Sequence, residues 1–403
     1  MRSGAVGQGS NSAQVRQFNE RVILTLLRRL GAASKADLAR HAQLTSNTAG
    51  QIVRELEEQR LVRSEGKRTG ARGQPATLLR LDPEGAYSIG IKIGRRSLDA
   101  LLVDFSGHVL ERRRLERSFP LPDEAVAFVR ESVMALRRCL NRGTEHRLAG
   151  LGVATPYNLG SWQRELDIPN SAYQRWNDVD VKAELEAATG LAVFVENDGT
   201  AAAVAELFQG HGRSLDDFLY VFIGTAAGGG VILGGDYHRG VNANAGDLGL
   251  MPTLPSRLPT APRPRGPYEI LLTRASLNAL IRHLRGRGFP IESRRDLEPL
   301  LEQAHPAVGE WLEDAVDALV LPVLSAVRIL DVPAVVIDGD LPRPLLLDLI
   351  ARLEIQLGIA SPESREPPRL LCGSIGREAP AIGAAILPLH LNFSPSRDVL
   401  IGY

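Results

Sequence analysis

The chain has 403 residues, 44% of them hydrophobic, which is room for two or three globular domains with cores of their own. Lys+Arg and Asp+Glu balance at 47 each, yet residues 1–80 hold 14 basic against 6 acidic side chains, a net of +8, which leaves −8 on the remainder. Cys139 and Cys372 are the only cysteines, which excludes a disulfide framework and a cysteine-built zinc site and fits a reducing cytosol. The N-terminal MRSGAVGQGSNS has no apolar h-region and no apolar run is long enough to span a bilayer, so the expectation is a cytoplasmic protein with no membrane partner.

A basic head on an acidic body suggests that the head meets a polyanion. In the head, Val15, Phe18, Val22, Ile23, Leu26, Leu27 and Leu30 recur at helical spacing and Gly31 closes the helix. Ser34 with Asp37 three residues on is an acidic form of the capping box, which predicts a second helix over 35–41. Thr45 caps a third, 46–58, whose buried face is Ile52, Val53 and Leu56. The front of that helix carries Ser46, Asn47 and Thr48, with Gln51 one turn later, the layout of a helix-turn-helix with small polar side chains where base edges lie. Asn and Gln hydrogen-bond adenine bidentately. Strands are predicted at 61–65 and 76–81, and between them the basic wing carries Lys67, Arg68 and Arg72 for phosphates or a minor groove. The other reading of residues 1–82 is a small structural bundle with solvated charges.

From residue 83 strands and helices alternate, which predicts an α/β body. Strands fall at 87–93, 98–104, 109–114, 148–153 and 192–195, and helices at 123–141, 181–189 and 200–208. A strand at 218–223, a glycine-rich turn over 224–230 and a strand at 231–233 form a hairpin. Gly228, Gly229 and Gly230 in that turn would let backbone N–H groups approach an anion, or would merely make a flexible tip. Asp198 follows an apolar strand and opens the small-residue helix, a position that suits either a helix cap or a base facing a cleft.

The three-helix head followed by TGARGQPATLLRLDPEGAYSIGIKIG (69–94) resembles the ROK family of repressors and sugar kinases, and in particular its winged-helix regulators. The resemblance continues through GVATP (152–156), PNS and Trp176 (169–176), VENDGTAAAVAE (195–206), GTAAGGGVILGGDYHRGVNANAGDLGLM (224–251) and GREAPAIGAAIL (376–387), so it covers essentially the whole chain. It implies a winged helix-turn-helix over 1–82 followed by a two-lobed actin-like (ribonuclease H-like) domain over 83–403. Lobe 1 would be 83–204 plus 379–403, and lobe 2 would be 205–378. Asp198 would stand at the position of the base that activates a sugar hydroxyl. Asn170, Asn197, Asp198, Asp247 and Glu269 match sugar-binding positions, Asp247 being one methylene shorter than the usual Glu.

The departures from the kinase pattern are as informative. Where the resemblance expects Asp-x-Gly-Gly-Thr-Lys, the chain reads Lys92, Ile93, Gly94, Arg95, Arg96 and Ser97, which reverses the charge that organises magnesium. Asp338 stands where a glycine would hold adenosine, and its carboxylate is expected to crowd a nucleotide. Leu250 replaces an expected His, and PTLPSRLPTAPRPRGP (252–267) is a proline-rich loop with none of the expected cysteines, so no zinc is predicted. ATP and magnesium are likewise not expected. The resulting expectation is a sugar-responsive transcriptional regulator, a repressor, whose kinase domain is catalytically inactive. It would bind inverted-repeat operator DNA as a homodimer or tetramer and answer to a small sugar or sugar phosphate. A bifunctional ATP-dependent sugar kinase and a ligand-independent DNA-binding regulator remain as alternatives.

Overall fold

Caps delimit the head as the sequence implies. The computed structural model describes residues 11–68, 76–117, 119–141, 143–157, 159, 170–264, 266–363, 365–396 and 399–400. Helix α1 (Ser12–Leu30) starts on an Asn11–Gln14 capping box and ends at Gly31, whose φ of 75° suits glycine. Strand β1 (Ala33–Ser34) leads into α2 (Lys35–His41), where Ser34 Oγ accepts from Asp37 N at 3.1 Å. Thr45 caps α3 (Ser46–Glu58), accepting from Thr48 N at 3.2 Å. Strands β2 (Val62–Arg68) and β3 (Ala76–Leu81) join β1 in an antiparallel sheet of order β1-β3-β2. Strand β2 runs three residues past the expected end at 65, because a bulge at Gly66 (φ 113°) absorbs the register shift and pairing continues to Arg68 opposite Ala76. Ile23, Leu27, Leu38, Ile52, Val53, Leu56 and Leu79 form the core of this unit.

The body repeats one sheet plan twice. Lobe 1 comprises β4 (Tyr87–Ile93), β5 (Ser97–Asp104), β6 (Val109–Glu116), helix α4 (Pro122–Arg137), β7 (Leu148–Thr155), α5 (Asn170–Asn177), α6 (Val181–Thr189) and β8 (Val193–Asn197). Its sheet order is β6-β5-β4-β7-β8, antiparallel as far as β4 and parallel beyond. Helix α7 (Asp198–Gln209) leads to lobe 2: β9 (Phe218–Ile223), β10 (Ala227–Leu233), β11 (Asp236–Tyr237), the paired β12 (Pro252–Thr253) and β13 (Glu269–Ile270), α8 (Leu277–Gly286), α9 (Arg294–Glu302), α10 (Pro306–Leu330), β14 (Ala334–Gly339), α11 (Arg343–Ala360) and β15 (Arg369–Cys372). The second sheet, β11-β10-β9-β14-β15, has the same order and the same mixture of directions.

Helix α12 (Ala379–Phe393) returns to lobe 1, where it packs on β4, β7 and α7. The approach is backbone to backbone: a Cβ on Gly383 would lie 1.6 Å from Ala201 O, and one on Gly152 would lie 1.8 Å from Ala384 O. Glycine is required at both positions by space. His390 on α12 bonds Asp236 on β11 at 2.7 Å and so ties the two lobes. Burial pushes the Asp236 carboxyl up, but the His390 contact outweighs it and holds the carboxyl below its usual range. A depressed folded-state pKa contributes stability that is present above the ordinary Asp value, about 3.9, and is lost as pH falls from there through the lower folded-state value. In Asp236→Asn, urea denaturation followed across pH should therefore show a shallower loss of stability below about pH 4 than in the wild type.

The head sits on both lobes through α1. Arg21 Nη1 donates to Leu391 O and Ser394 O, each at 3.1 Å, at the end of α12. Arg29 Nη2 lies 2.5 Å from Asp216 at the entrance to β9, and the Arg28 guanidinium stacks 4.1 Å above the Phe208 ring of α7. One apolar cluster runs without a break from Ile23 and Leu27 through Phe105 and Phe208 to Tyr220, Val336 and Ile386. Rotation of one lobe against the other must therefore load α1.

Candidate functional site

The end of β8 and the start of α7 deliver two of the expected residues into the cleft between the lobes. Asn197 is the N-cap of α7, its Oδ1 accepting from Gly199 N at 2.8 Å, and Asp198 is the first helical residue. The N-cap is Asn197, though Asp198 Oδ1 also accepts from Gly199 N at 3.0 Å, and Asp198 lines a cavity of about 310 Å³. Asn197 Nδ2 reaches Asn244 Oδ1 at 3.3 Å, and Asn244 Nδ2 reaches Asp247 Oδ2 at 2.8 Å. Burial pushes the Asp247 carboxyl up, Asn244 draws it back, and the nearby Asp198 charge adds to the rise. Asn197, Asp198 and Asp247 are thus brought together, a cluster of amide and carboxylate groups suited to sugar hydroxyls. The sequence reading missed Asn244, the residue that bridges them. Its only signal was a polar side chain in the loop between Gly240 and Gly246.

Of the other two expected sugar positions, Glu269 makes no hydrogen bond or ion pair to this cluster among the described residues. Glu269 lies on β13 opposite Thr253, and its charge is felt by Arg282. Asn170 opens α5, and its side chain lies outside the described residues.

The hairpin differs from the expected one. Its turn is only 224–226, and the glycines expected in the turn belong to β10. The reason is packing: Gly230 faces Ala203 of α7, where a Cβ would lie 2.6 Å from the Ala203 Cβ. Gly228 is the exception. It lines the cavity, and a Cβ there would meet no protein atom within 4 Å, so it keeps that wall open.

Lys92, Arg95 and Arg96 also line the cavity, and no carboxylate faces it at the position of Lys92. Asp338 needs a correction. It is buried at 1% exposure and is not part of the lining. Its Oδ2 accepts from Tyr220 Oη at 3.1 Å and Gly376 N at 2.9 Å, and its Oδ1 accepts from Gly339 N at 2.8 Å. The carboxylate that reaches the cleft is Asp340, two residues on. Hydrogen bonding to backbone and tyrosine turns Asp338 inward, so it does not crowd the cleft as expected.

In the head, Ser46, Asn47, Thr48 and Gln51 are all exposed on the front of α3, while Ala49, Ile52, Val53 and Leu56 of the same helix are buried. Lys67 and Arg68 lie at the end of β2 with side chains outside the described residues, and Arg72 lies wholly outside them.

A model of the ROK family matches residues 88–390, three-quarters of the chain. The chain belongs to the ROK family. The xylose repressor of Bacillus subtilis is 25% identical over 384 residues, spanning 92% of this chain and 94% of its own length. A ROK family transcriptional regulator, a homologue of the Escherichia coli Mlc protein, superposes with a TM-score of 0.69 at 21% identity, over 97% of this chain and 100% of its own. A ROK glucokinase from Streptomyces griseus, solved with glucose and AMPPNP, superposes with a TM-score of 0.59 at 22% identity, over 75% of this chain and 99% of its own. The body thus has the ROK fold shared by repressors and kinases.

The proline-rich loop of this ROK domain is held by side chains. Ser256 Oγ donates to Asp314 Oδ1 at 2.9 Å, Thr253 Oγ1 to Ala318 O at 3.2 Å, and Arg274 Nη1 to Leu254 O at 2.8 Å. Arg274, 1% exposed, also pairs with Asp314 (2.6 Å) and Asp317 (2.8 Å), and its carbonyl accepts from Trp311 Nε1 at 2.9 Å. Thr260 Oγ1 lies 2.6 Å from His283 Nδ1. Leu250, at the position where the resemblance expects a His, is exposed. No group of three or more His, Cys, Asp or Glu side chains suited to a metal is found among the described residues.

Proposed function

We propose that the chain is a sugar-responsive, DNA-binding transcriptional repressor of the ROK family with a body that senses ligand without phosphorylating it. The observation that carries this is the head. A kinase of the family accounts for 75% of the chain and a regulator for 97%, and the part in excess holds α3 with Ser46, Asn47, Thr48 and Gln51 turned to solvent. The relative similar over nearly its whole length carries the name xylose repressor, which supports a sugar as the class of effector. Asn197, Asp198, Asn244 and Asp247 are the groups we assign to the sugar, with Glu269 and Asn170 as outer contacts.

The operator is an inverted repeat read by a homodimer or tetramer in the cytoplasm, with Lys67, Arg68 and Arg72 on phosphates or the minor groove. No helix among the described residues is long and apolar enough to cross a membrane. Footprinting on the DNA upstream of the chain's own gene tests the reading. A protected palindrome released by one member of a panel of pentoses, hexoses and their phosphates is expected, and its absence at moderate salt sinks the proposal.

Coupling runs through α1. Sugar closes the lobes, the lobes move Arg21 and Asp216 relative to one another, and the heads change spacing. The sugar acts only through its different affinity for the two forms. Asp216→Ala is expected to keep operator affinity within about two-fold, since an exposed pair is worth about 0–1 kcal/mol, while blunting release by sugar. Anisotropy of labelled operator with and without sugar reads both.

Asp198 on the cavity lining favours a second reading, a sugar kinase. Against it stands Lys92, a cation where the metal-organising carboxylate would be. Phosphate transfer from ATP with magnesium to a panel of hexoses and N-acetylhexosamines is expected to be undetectable. Turnover abolished by Asp198→Asn would reinstate the kinase.

A further inference from the structure

More Lys and Arg than Asp and Glu residues line the cleft. Seven Lys or Arg side chains line the cavity against four Asp or Glu, a surplus of three positive charges in about 310 Å³. Four of the cations converge from opposite walls. Lys92 on β4 and Arg114 on β6 belong to lobe 1, and Arg294 at the start of α9 and Arg377 before α12 come from the lobe 2 side. Asp340 marks where they meet. Arg294 Nη1 lies 2.9 Å from its Oδ2, Arg377 Nε lies 3.5 Å from its Oδ1, and Lys92 and Arg114 act on it through space. The lobe 1 pair has its own partial counter-ions: Asp99 lies 4.0 Å from Lys92 and 3.4 Å from Arg114, and Glu116 lies 3.6 Å from Arg114. With Asp99 and Glu124, the partner of Arg117, included, the surplus is one.

The walls favour an anion in other ways. Helices α7, α9 and α12 present their N-terminal residues Asp198, Ser293 and Pro380 to the same space, though Asp198 and Asp296 already accept from backbone N–H groups at the first two of these ends. Gly228 leaves the opposite wall without a side chain. Asp338 holds Gly376 N at 2.9 Å and so sets the backbone from which Arg377 reaches the cleft. Arg guanidinium groups bind phosphate oxygens bidentately and carry the charge that a kinase takes from magnesium.

We propose that this cleft is a metal-independent site for a small molecule bearing phosphate with at least two negative charges, which bridges Lys92 and Arg114 to Arg294 and Arg377 and draws the lobes together. The site adjoins the sugar cluster at Asn197 and Asp247 and shares Asp198 with it, but it does not depend on the head reading DNA. Binding here loads the same lobe closure as a sugar does.

The test uses the full chain in EDTA, without DNA, by thermal shift and calorimetry. The probes are inorganic phosphate, pyrophosphate, ADP, ATP and hexose 6-phosphates, with sodium sulfate at matched ionic strength as the control. At least one phosphate probe is expected to raise the Tm above the sulfate control and to bind equally well when magnesium is added. Which one does so separates a nucleotide, a sugar phosphate and a free phosphate. Arg294→Gln with Arg377→Gln should weaken binding about ten-fold or more, which is about 1.4 kcal/mol or more. Because both arginines pair with Asp340, Lys92→Met is the second variant, with loss of affinity in the same direction. The proposal is overturned by no shift beyond sulfate with any probe, by binding that requires magnesium, or by affinity unchanged in Lys92→Met.

Discussion

Arg274→Ala is expected to lower the unfolding free energy by about 3–5 kcal/mol, the loss typical when one member of a buried ion pair is removed. Arg274 is 1% exposed and makes bonds to Asp314, Asp317 and Leu254 O. Its removal leaves Asp314 buried without its cation and frees the loop that Ser256 and Leu254 anchor. Urea denaturation reads the loss as a lower midpoint at unchanged slope. The double variant Arg274→Met with Asp314→Leu should recover part of it, because an apolar pair of similar volume carries no desolvation penalty. An Arg274→Ala midpoint within experimental error of the wild type would show that the loop is held by other contacts. In the ROK pattern this loop is where cysteines would hold zinc, and here an ion pair and three hydroxyls do the fastening.

Asn47→Ala combined with Gln51→Ala is expected to lower operator affinity by about 1–3 kcal/mol for each residue, the worth of a bidentate base contact. Both side chains are exposed on α3, and neither is among the residues packed in the head core, so stability should change little. The dependence of affinity on salt should stay the same, since phosphate contacts set that slope and base contacts do not. Anisotropy titrations of operator and scrambled DNA at two salt concentrations separate these effects. Equal loss on both DNAs would show that the two residues touch the backbone and not the bases.

Much of this was legible beforehand for local reasons. A cap is written within four residues, so Ser34 with Asp37 and Thr45 announced α2 and α3. Strand alternation announced β4 to β9, because apolar β-branched runs have few other uses. The positions of Asn197, Asp198 and Asp247 followed from resemblance, and the coordinates bring them to one cluster. Asn244 was not legible, since nothing local distinguishes an amide that bridges two distant segments from one that stabilises a turn.

Two sites show where local reasoning stops. The glycines of β10 looked like a turn, yet α7 crosses so close that only glycine fits at Gly230, and the contact is with Ala203, distant in sequence. Asp338 looked like an obstacle in the cleft, yet Tyr220 and Gly376 N turn it inward and Asp340 takes the exposed place. The amino-acid sequence by itself determined the helix caps, the strand runs, the basic head and the charge reversal at Lys92, because each is a property of neighbouring residues. Only the tertiary structure decided which cations meet across the cleft, which carboxylate faces them and how α1 spans both lobes. Charge and packing between segments far apart in the chain depend on distances that no local pattern encodes.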